Sequence, residues 1–173
     1  MSLVNNMISF TLVVFLASAF GSLQGANPKV GNVQPESDIK INVIQGKVDG
    51  YPLFVSVNSS LKDFKSQSEL PWLVEASTNF ADPTENGLPK EAEFKSLNDW
   101  EDSVEASLAK VCRYVYAGHV TQKGERIALF YVDSHDAAIS ALDKFKAAPG
   151  SRLFSFVVRR DEKWERIAAY LKK

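Results

Sequence analysis

The sequence predicts an α+β fold in which one antiparallel sheet carries two helices on one face. Three observations predict it. Between Pro71 and Arg160, short β-prone runs and charged amphipathic runs alternate in the order β-α-β-β-α-β. The two central runs, residues 113–121 and 125–132, are joined by Gln122-Lys123-Gly124, a tight hairpin signal. The composition, 45% hydrophobic and 24% charged over 173 residues, belongs to a chain that buries its own core without staples. This order is the split-βαβ, ferredoxin-like pattern, and right-handed crossovers place both helices on the same face.

Residues 1–26 carry no charged side chain, and Met7 to Leu16 is almost wholly apolar. That run is too short to span a bilayer and has the length of a signal-peptide h-region. Ala17-Ser18-Ala19 fits a cleavage site; Ala19-Phe20-Gly21 and a cut after Ala26 compete with it. No cysteine lies near the cleavage zone, so no lipid anchor is expected. The sequence therefore predicts a periplasmic or secreted protein with no stable membrane span after cleavage. Residues 27–38, with Pro28, Gly31 and Pro35, are expected to form a flexible linker.

Residues 39–47 and 51–57 are β-prone, and Asp49-Gly50 between them is a hairpin turn signal. This N-terminal β-hairpin extension is bounded at 39–69, with residues 61–69 as a short helical turn or loop. Asn58-Ser59-Ser60 is a glycosylation sequon by pattern. Residues 71–77 form the first strand of the main domain, 70–173. The 79–88 loop follows, carrying Asp82-Pro83 and Asn86-Gly87. Pro89 opens a helix over 90–111 whose apolar stripe is Phe94, Leu97, Trp100 or Glu101, Val104, Leu108 and Val111. Ser134 caps the next helix, whose inner face is Ala138, Ala141, Leu142 and Phe145 and which stops at Pro149-Gly150. Residues 151–160 are the last strand. A C-terminal helix over 161–173 presents Trp164, Ile167, Ala168 and Leu171.

Charge and motif exclude several functions. A net charge of −1, from 20 Lys and Arg against 21 Asp and Glu, argues against a general nucleic-acid binder. A single cysteine and two histidines leave no metal cluster to expect. Cys112 reads as a small buried hydrophobe. Gly118 and Gly124 are isolated, so no phosphate loop or dinucleotide fingerprint is present and no cofactor is expected. From Asp82 to Glu105 eight acids face two lysines; Asp99, Asp102 and Glu105 could share a face and hold a cation, against the plainer reading of a solvated helix face. Residues 151–173 are basic, and Arg159 and Arg160 are expected to pair with nearby acids.

The candidate binding residues are aromatic or lie on the long loop. Trp72, Tyr114, Tyr116, Phe130 and Phe156 belong to the sheet, whose uncovered face could be an aromatic platform unless the hairpin extension or a second subunit covers it. Asn86 and Gly87 sit on the loop before a helix N-terminus, where backbone N–H groups can receive an anion. His119 lies mid-strand with no partner triad visible.

Pro71-Trp72, Asn86-Gly87-Leu88-Pro89, the acidic helix, Tyr116-Ala117-Gly118-His119-Val120-Thr121 and Phe130-Tyr131-Val132 together resemble the bacterial domain of unknown function 695, over about residues 70–173. That family brings no established activity. Its fold is similar to that of the regulator of ribonuclease activity B, which implies regulation of a ribonuclease if the chain stays in the cytoplasm; fold alone does not carry function. Three functions are therefore expected in order: a non-enzymatic protein-binding or regulatory module, meeting an unidentified protein or a second copy; a hydrolase using the acidic helix and His119; and a ribonuclease regulator.

Overall fold

The computed structural model describes residues 30–34 and 39–172. The proposed signal peptide and most of the proposed linker lie outside them. Seven strands and three helices follow one another: β1 (Gly31–Asn32), β2 (Ile41–Val48), β3 (Tyr51–Asn58), β4 (Trp72–Asn79), α1 (Glu91–Ala109), β5 (Arg113–Gln122), β6 (Glu125–Val132), α2 (His135–Lys146), β7 (Ser155–Arg160) and α3 (Glu165–Leu171). The fold is α+β. Its single sheet runs β2-β3-β5-β6-β4-β7, antiparallel throughout except for the two-residue β1, which pairs parallel with β5. No helix among the described residues is long and apolar enough to cross a membrane.

Local chemistry explains the turns. Asp49 and Gly50 have φ of 52° and 84°, and Lys123 and Gly124 have 45° and 82°. Paired positive φ values make both hairpin loops the two-residue kind whose twist matches the strands. Ser134 caps α2, its hydroxyl accepting from the Ala137 N–H. Two elements are shorter than their sequence predicts. Residues 151–154 stay irregular because the Arg152 side chain and the Phe154 ring are drawn onto α1, so β7 starts only at Ser155. The last helix starts at Glu165 because Trp164 adopts a left-handed φ of 53°. Its indole donates to the Leu70 carbonyl at 3.1 Å and stacks between Tyr131 and Phe64, contacts that offset a backbone strain of about 1–3 kcal/mol.

The central strands of the sheet are covered on both faces. On one lie α1 and α2, over Val74, Ala76, Tyr114, Ala128, Phe130 and Val132. On the other lie α3 and the turns between β3 and β4, over Leu73, Val115, Val120, Leu129 and Tyr131. This corrects the open aromatic face. The hairpin extension does not close over the sheet either; β3 pairs edge-on with β5 and widens it. Leu97, Trp100, Val104 and Leu108 fill the α1 seam, but Phe94 and Val111, placed on that stripe by spacing, are exposed. Within the expected linker, Gly31 and Val33 donate to the carbonyls of Cys112 and Tyr114, so Gly31–Asn32 is a docked strand.

One irregularity sets the register. Tyr116 pairs with Phe130 and Gly118 with Leu129, leaving Ala117 as a bulge. Gly118 has φ of 128°, and a Cβ there would lie 2.0 Å from the Ser56 carbonyl oxygen. Gly118→Ala should therefore cost several kcal/mol, about 2–4, or prevent folding, whereas Gly46→Ala at an ordinary contact should cost under about 1 kcal/mol. Urea unfolding of the two variants checks this.

Candidate functional site

The bulge turns His119 toward the helices. Strict alternation would place His119 with Val115 and Ala117; one extra residue moves it to the side of Tyr114 and Tyr116, opposite Ala128. There it meets Glu101, an acid on the buried seam of α1. The Tyr116 hydroxyl donates to Glu101 Oε1 at 2.5 Å and lies 3.0 Å from His119 Nδ1, which is itself 3.1 Å from the same carboxylate oxygen. Arg126, on β6, places Nη1 3.6 Å from Glu101 Oε2 and donates from it to Asn98 Oδ1 at 2.8 Å. Its Nε is buried without a partner. Small neighbours, Ala76 and Ala128, stand in the His119 row of the sheet.

The cluster is a compensated buried charge set. Glu101 and Arg126 side chains are 9% and 5% exposed, His119 20%. Burial pushes the Tyr116 phenol up, with the Glu101 charge beside it adding to the effect, so it stays a donor. Burial also holds Arg126 below its ordinary value, against the pull of Glu101 and Tyr116. Next to it, Arg152 ties the end of the sheet to α1. It donates to Thr78 Oγ1 and Ser96 Oγ at 2.8 Å each and to the Asn79 carbonyl at 2.6 Å, and pairs with Glu93. Burial alone would raise Glu93; Arg152 and the Ala81 amide overcome it and hold the carboxyl below the usual range. A cavity of about 450 Å³ opens between α1 and residues 148–152, with Trp100 and Arg152 in its wall.

The sequence-predicted residues do not form one surface. Trp72, Tyr114, Tyr116, Phe130 and Phe156 all face the α1 and α2 layer. Phe130 is fully buried, and Tyr114 donates to Glu105 at 2.8 Å, so they are core and not platform. Trp72 packs on His135 with centroids 4.8 Å apart. The 79–88 loop is held by its own chemistry. Asn86 Oδ1 accepts from Thr84, and the Gly87 carbonyl accepts from the Gly124 N–H at 2.8 Å. Gly87 has φ of 76°, and a Cβ there would press on Lys123 at 3.0 Å. The carboxylate triplet does not assemble: Asp99 pairs with Lys95, and Glu105 accepts from Tyr114. Among the described residues no group of three or more His, Cys, Asp and Glu is placed to hold a metal ion. Arg159 and Arg160 pair with Glu75 and Glu162. The Asn58 side chain is fully buried and donates to Gln34 and to the Tyr116 carbonyl, so in the folded chain the sequon is closed.

Glu101 was legible only as an alternative to Trp100 in the stripe, and Arg126 was missed. Its signal was its place in the alternation Arg126, Ala128, Phe130, Val132, a charge at an inward position.

Removing one partner of this set strands the other. Glu101→Gln should destabilise by about 3 kcal/mol or more, against under about 0.5 kcal/mol for the exposed Asp102→Asn, read by chemical denaturation. Cys112 is buried, and burial pushes its thiol up to about 11. A raised thiol value means that stability falls as pH rises from about 9 toward 11, as the unfolded chain ionises first. At pH 8 the native thiol should resist an aromatic disulfide reagent that labels the unfolded chain at once.

Searches of characterised proteins and of solved structures returned no significant match. A family model, described as a family of unknown function (DUF695), matches residues 42–171. The match takes in the hairpin extension, the polar cluster and α3, and the chain belongs to the DUF695 family.

Proposed function

We propose that this chain is an exported, non-enzymatic protein-binding module whose docking element is the free edge of β2. The carrying observation is the state of that strand. It pairs with β3 without interruption and, among the described residues, with no strand on its outer side. The two-residue turn makes Val48 and Tyr51 a hydrogen-bonded pair, and alternation repeats this at Gly46, Ile44 and Asn42. The backbone groups of Ile41, Val43, Gln45 and Lys47 therefore point outward, with no strand partner among the described residues. Ile41 and Val43 are 46% and 59% exposed. Sheet edges are commonly blunted by proline, bulges, charge or short length. β7, the other edge, has six residues and ends in Arg159 and Arg160; β2 has eight, with Lys47 its single charge. Such an edge suits recognition by strand addition.

The arrangement β7-β4-β6-β5, with α1 and α2 on one face, supports the ferredoxin-like reading of the central unit, to which the hairpin and α3 are additions. The composition of residues 1–26 supports export, and a partner is then sought in the envelope or outside the cell.

A photo-crosslinking residue at Val43 should give a discrete adduct in cells, lost on Gln45→Pro, which deletes an outward N–H and leaves the β3 ladder intact. The same residue at Leu153, fully open but off the edge, should give none. Equal adducts at both sites, or none at Val43, overturn the reading. In the envelope fraction the intact mass should lack roughly the first 19 to 26 residues.

A second reading rests on the Glu101–His119 contact. A buried carboxylate on Nδ1 leaves Nε2 for general-base work, as a hydrolase would require. Hydrolysis of an ester or phosphate panel, lost in His119→Ala and kept in Asp102→Asn, would favour it; a silent panel leaves the binding module.

A further inference from the structure

We infer that the occupant of the β2 edge is a second copy of this chain, paired antiparallel with its own β2 about a two-fold axis. This rests on the reading of β2 as the docking edge and names its partner. A two-fold axis perpendicular to the sheet keeps each residue on its own face, so only registers that oppose residues of like parity are possible. One of these uses all four outward positions of both strands. Ile41 then stands opposite the partner's Lys47, and Val43 opposite the partner's Gln45. Ile44 lies beside the axis and faces the partner's Ile44.

Charge and apolarity both suit this register. The single charge of β2, Lys47, meets an isoleucine, so no two lysines oppose one another. One residue beyond the strand, Lys40 comes opposite the partner's Val48 and beside the partner's Asp49, an opposite-charge approach that symmetry repeats. On the helix-side face, the exposed Val43 reaches the partner's Val43 diagonally, and Ile41 packs on the stem of the partner's Lys47. The sheets of the two copies then continue through the interface, and the outward N–H and C=O groups are paired. The row Ala76, Ala128, His119, Ser56, Val43 runs unbroken to that interface, so the polar cluster sits two strands from the axis.

Sedimentation of the mature chain should give a dimer that dissociates on dilution, and Val43→Pro should give a folded monomer by circular dichroism. Ile44→Cys should form an interchain disulfide on mild oxidation, because the residue faces itself across the axis, whereas Asn42→Cys, which would face the partner's Gly46, should not. Cys112 is buried and does not compete. A wild-type chain that stays monomeric at every concentration, or a cross-link from Asn42→Cys in place of Ile44→Cys, overturns self-pairing. If the chain is monomeric but the Val43 photo-adduct is a different protein lost in Gln45→Pro, the docking edge stands with another occupant. If both are silent, the edge reading falls as well.

Discussion

The approach of the Ser56 carbonyl to Gly118 is the constraint on which the centre of this molecule depends. At 2.0 Å from a would-be Cβ, it leaves room for no side chain at that position of β5. The chain answers with glycine, a left-handed backbone and the Ala117 bulge. Three consequences follow from that kink. β3 can pair with the second half of β5, so the hairpin joins the sheet. β1 can pair with the first half, and Asn58 seals the junction by donating to Gln34 and to the Tyr116 carbonyl. His119 is turned beneath α1, where an unbulged strand would have pointed it at the opposite core.

Once His119 faces the helices, a buried acid becomes tolerable. Glu101 gains a tyrosine hydroxyl, an imidazole and a guanidinium in place of water, which is the condition for a charge to lie inside a core. The same logic recurs on the other face. There Glu75 accepts from Arg166 at 2.7 Å and Arg159 at 3.1 Å, and Tyr131 donates to Asp161, which also receives the first amides of α3. Each layer over the sheet is thus fastened by polar sets amid apolar packing. These sets fix how the helices sit; burial of aliphatic and aromatic surface supplies the drive.

With both faces of the central strands covered, the open backbone groups among the described residues lie at the sheet's edges. β7 is short and closed by arginines, and the β5–β6 hairpin tip is covered by the 79–88 loop through the Gly87–Gly124 hydrogen bond. The long, nearly uncharged β2 has no strand on its outer side among the described residues. A strand in that condition gains a ladder of hydrogen bonds when another strand arrives, and side-chain register then decides which strand fits.

Elements that rest on local chemistry were legible in the sequence. The strand–helix order, both two-residue hairpins, the Ser134 cap and the inner residues of α1 and α2 follow from periodicity and turn residues, because those signals act within a few positions of the chain. The short motifs from Trp72 to Val132 also pointed to the family that the match over residues 42–171 shows. The candidate site was half legible: Tyr116 was singled out as part of an open face, His119 as a mid-strand histidine and Glu101 only as an alternative to Trp100, and Arg126 was not. Period-two counting cannot foresee a bulge whose cause, the Ser56 carbonyl, lies 62 residues away in sequence. Nor can it tell which face a terminal helix will cover, since Trp164 finds Leu70 and Tyr131 only when the sheet has formed. The sequence by itself determined the elements and their order; the tertiary structure alone decided which polar groups meet, because pairing across the sheet is set by register and not by distance along the chain.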